Sequence, residues 1–401
     1  MKMASSIQKI SGLSPRLLCL MSAATGLAVA GNYYAQPLLS TIAQDIGLST
    51  ASATGIVTTA QLSYGAGLFL MVPLADLMER RRLIIVLMLL AAAGLVINAF
   101  ATGLGWLLAG TAIVGICSVV AQVLVPFAAT LAAPQERGRA VGFVMGGLLL
   151  GILLARVVAG TISSLYGWRM VYALAAAAMA VCAVGLALSL PRYREDPGLS
   201  YGRLLISVLQ LFVQEPILRL RAVLGMLSFA LFSLFWTPLA FLLKAHPYGY
   251  SDATIGLFGF AGIAGALAAT GAGRLADKGR GDLGTWVGLL GLLLAWVPLA
   301  FAQASLLALL VGVMILDLAV QLVHVSNQNV IYALHAQARN RLNAGYMTCY
   351  FLGGAGGSWL ATTIYPRAGW HGVVVTGVCL GALGITVGAA KWRQLADKPM
   401  P

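Results

Sequence analysis

Long apolar runs, each bounded by a charge cluster or a turn, recur along the whole chain and leave it little choice of environment. Residues 82–101 and 168–190 each offer roughly the 20 mainly apolar residues needed to cross about 30 Å of hydrocarbon. A segment in lipid must satisfy its own backbone N–H and C=O groups, which a helix does and an open strand does not. Composition agrees, with 60% hydrophobic and 9% charged residues and a mean hydropathy of +0.90. The fold class expected is an all-α membrane protein.

Twelve transmembrane helices are expected, over 15–41, 52–74, 82–101, 104–132, 138–164, 168–190, 220–243, 253–275, 283–302, 304–335, 342–365 and 369–390. The first could be mistaken for a cleaved leader cut near Leu27–Gly31, but its apolar pattern continues to Leu39. Residues 191–219, rich in charge and broken by prolines, read as a cytoplasmic linker between a six-helix bundle at 1–190 and another at 220–401. An N-terminus in the cytoplasm places every Lys and Arg there except Arg156, Arg169, Lys244 and Arg367, and it places Arg219 and Arg221 among the loop charges. An even number of spans then leaves both termini cytoplasmic. That topology accounts for the formal net charge of +13 without a nucleic-acid partner. The five cysteines lack C-x-x-C spacing, so neither a disulfide framework nor a metal site is expected.

The second half repeats the first at a nearly constant offset. Pro37 aligns with Pro238, and the Leu-Ala-Asp ending at Asp76 with that ending at Asp277, both at 201 residues. Arg137 and Arg139 align with Arg339 and Arg341, Gly151 with Gly353, and Gly167-Trp168 with Gly369-Trp370, all at 202. Parallel repeats of this kind belong to alternating-access transporters with a substrate site near the midplane.

With the stretch "VPLADLMERRR" between the second and third helices and "GRLADKGR" in the second half, the chain resembles the major facilitator superfamily. "GNYYAQPLLSTIAQDIG" on helix one and Gly138, Gly147 and Gly151 on helix five resemble its twelve-helix drug:proton antiporter and sugar-efflux group. The sequence departs from that group's pattern: Ile152, Ala155 and Arg156 replace a proline and two glycines on helix five, Thr111 replaces an arginine on helix four, and helix one carries no acid. The resemblance implies two pseudo-symmetric bundles, a cavity lined by helices one, four, seven and ten, and a cytoplasmic gate of Asp76, Arg80, Arg81, Asp277 and Arg280. An aspartate at a helix end beside arginines can hold charge-assisted bonds in one conformation and lose them in the other; a merely solvated charge run is the plainer alternative.

Two charged residues, Arg156 and Asp317, remain inside the expected spans after the loops are assigned. Each costs about 2.5–3.5 kcal/mol on insertion scales, and such residues mark function more often than packing. Asp317, Gln321, His324 and Gln328 fall within an arc of about 60° at roughly 100° per residue. Either Asp317 and His324 exchange protons while the glutamines bind substrate, or the stripe is a polar seam holding helix ten to its neighbours. Arg156 could pair with Asp317 or attract an anionic group of the substrate; their depths differ, which favours separate roles, with Arg156 facing the cavity or, alternatively, snorkelling outward. Asn32, Tyr33, Tyr34, Gln36, Gln61, Tyr64, Gln122, Trp236, Tyr346 and Tyr350 complete the candidate cavity, with membrane packing the alternative for each aromatic.

No Gly-Lys-Ser/Thr phosphate loop, H-E-x-x-H or G-x-S-x-G occurs, so an enzyme and ATP-driven transport are both set aside, and no cofactor is expected. The expectation is a secondary transporter of a bacterial-type inner membrane, acting as a monomer amid lipid, exporting a small organic compound by proton antiport. A facilitator or proton symporter importing a sugar or metabolite is the alternative. A transport-inactive sensor or scaffold would need a partner domain that the loop at 191–219 is too short to supply.

Overall fold

The computed structural model describes residues 13–133, 135–194, 200–261, 281–335 and 338–396. Among these, nine helices are long and apolar enough to span a membrane, and a bent pair adds a tenth. One of the nine, within the helical run Arg339–Ala396, is interrupted at Gly369, where φ is +59°. No described residue lies in a strand. The architecture is all-helical and consistent with twelve spans.

Several expected single helices are two. The first span divides into α1 (Pro15–Ala30) and α2 (Ala35–Asp45), bent by 44°. Ser14 caps α1 and Pro15 opens it, a favourable start because those first N–H groups have no helical acceptor. Pro37 then lies in the first turn of α2, where its missing N–H costs nothing. The seventh span divides at the matching place, into α10 (Pro216–Trp236) and α11 (Leu239–Lys244), with Pro238 between them. Pro37 and Pro238 were the first pair of the sequence repeat, and the repeat is therefore visible as two broken helices.

The other elements in chain order are α3 (Thr50–Leu70), a 3-10 turn at Val72–Asp76, α4 (Arg80–Ala99), α5 (Leu104–Cys117), α6 (Val120–Leu131), α7 (Arg137–Tyr166), α8 (Trp168–Ser189), α9 (Tyr201–Gln214), α12 (Asp252–Leu257), α13 (Gly281–Leu294), α14 (Trp296–Leu299), α15 (Leu306–Leu334) and α16 (Arg339–Ala396). The expected fourth span is broken at Ser118-Val119, while Pro126 is accommodated inside α6. One apolar core is drawn from Met21 to Leu190 and another from Leu220 to Val374, which supports the two expected bundles.

Glycines let each bundle close on itself in the same way. A Cβ on Gly151 of α7 would collide with the backbone of Gly26 on α1, and one on Gly353 of α16 with the backbone of Met226 on α10. These two positions matched in the repeat because they perform one packing task twice. Gly138, from the same helix-five pattern, has open space where its Cβ would lie.

Two features differ from the expected loops. The linker contains α9, whose Leu204, Val208 and Leu211 are buried, while the Tyr201 hydroxyl donates to the Leu70 carbonyl at 2.8 Å. A loop reading looks for turn residues, yet the apolar positions of α9 recur at helical spacing. Arg221, assigned to the loop charges, is buried within α10. It donates to Asp282 at 2.9 Å, Thr285 at 2.6 Å and Asn327 at 3.3 Å. A second cation inside the expected spans is thus compensated by a carboxylate at the start of α13.

The expected arginine gate is bound, in the contacts seen, to its own half. Arg80 approaches Asp76 at 3.8 Å, donates to Thr130 at 3.2 Å, and lies over the rings of Tyr193 and Phe127. Arg81 donates to the Ala187 carbonyl. Asp277 and Arg280 lie outside the described residues.

At the opposite end the halves are joined by Asp252, the first residue of α12. Its carboxylate accepts from Thr41 at 2.7 and 2.8 Å and from Ser163 at 2.7 Å, and it pairs with Lys244 at 2.9 Å. Lys244 also donates to Thr41 at 2.6 Å. Asp252 is only 5% exposed, so removing it leaves a partly buried cation and two hydroxyls without their acceptor. Deeper in, the Thr58 hydroxyl donates to Ser358 at 2.9 Å across the halves.

Gly151→Leu and Gly353→Leu are each expected to destabilise the protein by about 1–3 kcal/mol or more, and Gly138→Ala to leave it unchanged. Thermal unfolding followed by size-exclusion chromatography checks this. Asp252→Ala is expected to weaken the closed end by about 2–5 kcal/mol. In a cysteine-free background, spin labels at positions 166 and 245 should then report longer distances between the halves.

Candidate functional site

The two helix breaks deliver side chains to one place. The α1–α2 bend supplies Tyr33 and Gln36, and the end of α10 supplies Phe232 and Trp236. Arg156 comes from α7 and Asp317 from α15. All but Phe232, which is partly buried, are no more than 5% exposed.

Arg156 Nε donates to Gln36 Oε1 at 2.8 Å. Its guanidinium carbon lies 4.1 Å from the Trp236 ring centre, 4.9 Å from Tyr33 and 5.7 Å from Phe232. A cation over aromatic faces gains about 2 kcal/mol or more when desolvated, and Trp is the best partner. The same indole donates through Nε1 to Asp317 Oδ1 at 3.2 Å. Arg156 and Asp317 form no direct ion pair, as expected, but the depths expected to keep them apart bring both to one indole: Trp236 meets the cation with its face and the anion with its edge.

The donors and acceptors here are not all used. Arg156 Nη2 and Gln36 Nε2 are buried without a hydrogen-bond partner, as is Asn32 Oδ1 next to Tyr33 in the chain; on α3, both side-chain polar atoms of Gln61 are likewise buried and unpartnered. Asp317 Oδ1 is occupied by the indole, which leaves Oδ2 to take a proton or accept from a ligand.

The remaining stripe on α15 turns toward α16. His324 Nδ1 lies 3.1 Å from the Tyr346 hydroxyl and its ring centre is 4.6 Å from that of Tyr350. Gln328 donates to Asn343 at 3.4 Å, whereas Gln321 is half-buried and makes no side-chain hydrogen bond. The polar-seam alternative therefore describes His324 and Gln328 better than a shared site with Asp317. Tyr350 stacks on Phe229 at 4.2 Å, and Tyr64 packs on Phe351 at 4.3 Å beside half-buried Gln122. Tyr34 is buried beside Tyr172 within the first bundle.

Sequence reasoning passed over Asp252 and Arg221. Charge counting on the loops expected to face out would have found the first: three cations, Arg169, Lys244 and Arg367, accompany two acids there, Asp45 and Asp252. Both acids are paired, Asp45 with Arg169 and Asp252 with Lys244. Arg221 had a weaker signal, since its partner Asp282 begins another helix 61 residues away.

Known proteins resemble the chain over nearly its whole length. The uncharacterized transporter YgaY of Escherichia coli O157:H7 is 54% identical over 375 residues, 94% of this chain and 95% of that one. The purine ribonucleoside efflux pump NepI of Escherichia coli O127:H6 is 26% identical over 162 residues, 40% of this chain and 41% of the pump. In structure, a bacterial homolog of the human lysosomal transporter Spinster, inward-facing and unoccupied, superposes with a TM-score of 0.77 at 16% identity, covering 97% of this chain and 100% of its own; at that identity the likeness concerns the fold. The family model described as Major Facilitator Superfamily matches residues 21–297. Paired broken helices, a buried polar centre between two bundles and that match lead to one conclusion: this membrane transporter chain belongs to the Major Facilitator Superfamily.

Proposed function

We propose that the protein is a proton-coupled secondary transporter that carries a small organic compound across a bacterial inner membrane, with Asp317 as the proton site. The observation that carries this is the indole of Trp236, on which a cation of one half and a carboxylate of the other meet. A carboxylate at a moving interface changes surroundings as the halves rock, and a proton bound there biases the two conformations by its differential affinity. With the arginine-rich end and both termini in the cytoplasm, the Asp252 contacts seal the outer end, and the arginine cluster, including Asp277 and Arg280, gates the inner one.

The direction of transport follows from the substrate's own charge. A neutral or cationic compound competes with the proton for Asp317, giving exchange and export; the partial similarity to a purine ribonucleoside efflux pump supports this reading. A compound that binds Arg156 as an anion travels with the proton instead, and the unpartnered donors beside Arg156 favour this second reading. The protein works as a monomer, each chain holding a complete pair of bundles.

In proteoliposomes, transport of a compound found by screening is expected to respond to an imposed pH gradient in the wild type and to lose that response in Asp317→Asn. An inward proton gradient should drive efflux under exchange and uptake under co-transport; an unaltered pH response in Asp317→Asn removes the proton site. For the topology, green fluorescent protein fused after Pro401 is expected to fluoresce, as it does when folded in the cytoplasm, and a dark, exported fusion would reverse the orientation.

A further inference from the structure

We infer that the substrate carries an anionic, carboxylate-like group, and that the group docks on Arg156 Nη2 and Gln36 Nε2. The inference rests on the midplane centre being the substrate site. Both nitrogens are buried without a partner. Neither vacancy can be removed by turning the amide: Arg156 Nε donates to Gln36 Oε1, which fixes the oxygen toward the arginine and leaves Nε2 as a donor. Two donors with a formal positive charge between them suit a carboxylate oxygen pair, since charge-assisted bonds from arginine to carboxylate are among the strongest available. A cationic substrate would meet Arg156 already occupying the faces of Tyr33, Phe232 and Trp236.

Charge balance then sets the coupling. Arg156 and Asp317 together are neutral, so an anion added at Arg156 leaves the buried centre with one uncompensated negative charge, which a low-dielectric interior resists. A proton on Asp317 restores neutrality. Anion and proton therefore load together, and the second of the two transport directions follows.

Purified full-length protein in lipid nanodiscs tests this by thermal shift with benzoate, phenylacetate and indole-3-acetate, each beside its neutral amide, and with sodium chloride as an inorganic anion. The expected result is stabilisation by the carboxylates above the amides and chloride, and greater at about pH 6 than at about pH 8, where the probes stay ionised. Gln36→Glu places a carboxylate beside Arg156 and mimics the bound anion; it should keep the protein folded and weaken apparent carboxylate affinity at least about tenfold. Asp317→Asn should bind carboxylates with no pH dependence. The inference is overturned if no carboxylate exceeds its amide, if chloride stabilises equally, or if Gln36→Glu binds the probes as the wild type does. Proton coupling is judged separately, by the pH-gradient response of Asp317→Asn, so the two readings fail in different assays.

Discussion

Two opposite charges buried between the bundles must be compensated, and a direct bond between them would fasten the two bundles together. Trp236 resolves this conflict, because its face receives Arg156 while its edge donates to Asp317. In the proposed cycle a strong buried ion pair would have to be broken and re-formed at every turn, whereas a cation–aromatic contact is weaker and leaves the carboxylate unbonded to the cation. The position of that indole in turn depends on the helix break at Thr237-Pro238, and that of Gln36 on the matching break before Pro37. The site exists because both helices stop where a continuous helix would have carried these side chains elsewhere.

Much of this architecture could be read before any coordinates. Span length follows from the thickness of hydrocarbon, and the repeat from identical packing and turning tasks performed twice, as Gly151 and Gly353 illustrate. Arg156 and Asp317 announced themselves by their cost in lipid. What the sequence withheld was which partner each would find. Asp317 and His324 lie on one face of α15, yet one turns to an indole on α10 and the other to Tyr346 on α16. Periodicity reports direction from a helix axis and says nothing of which neighbour stands there. Arg221 escaped for a related reason: hydropathy could not separate a snorkelling arginine at a helix end from one buried against Asp282 and Asn327.

The contacts between the halves are distributed by strength. At the end bearing Asp252, a carboxylate, an ammonium and two hydroxyls form a short-range polar lock with several bonds. Along α3 and α16 the joint is softer, built from Thr58 on Ser358 and Tyr64 on Phe351. Opening the locked end exposes its charges to water, which repays much of what the bonds supplied, so a contact with many hydrogen bonds can still belong to a reversible motion. A lock buried on both sides of the transition would not have that property.

The polar centre is also partitioned so that neither half carries an abandoned charge when the two separate. Arg156 keeps Gln36, which belongs to its own bundle, and Asp317 keeps Trp236, which belongs to the other. The guanidinium of Arg156 meets the other half through Trp236 and Phe232, while the α7 backbone around it packs closely on Gly256 and Gly259. In the proposed transport cycle, rocking would change the distance between a cation and a carboxylate without dismantling either half-site. In that cycle the electrostatic field at Asp317 would vary with conformation, and reciprocity would require the charge state of Asp317 to bias the conformation in return. On the proposed function, a ligand bound at Arg156 would enter the same linkage, because it would alter the field at Asp317 without having to touch it.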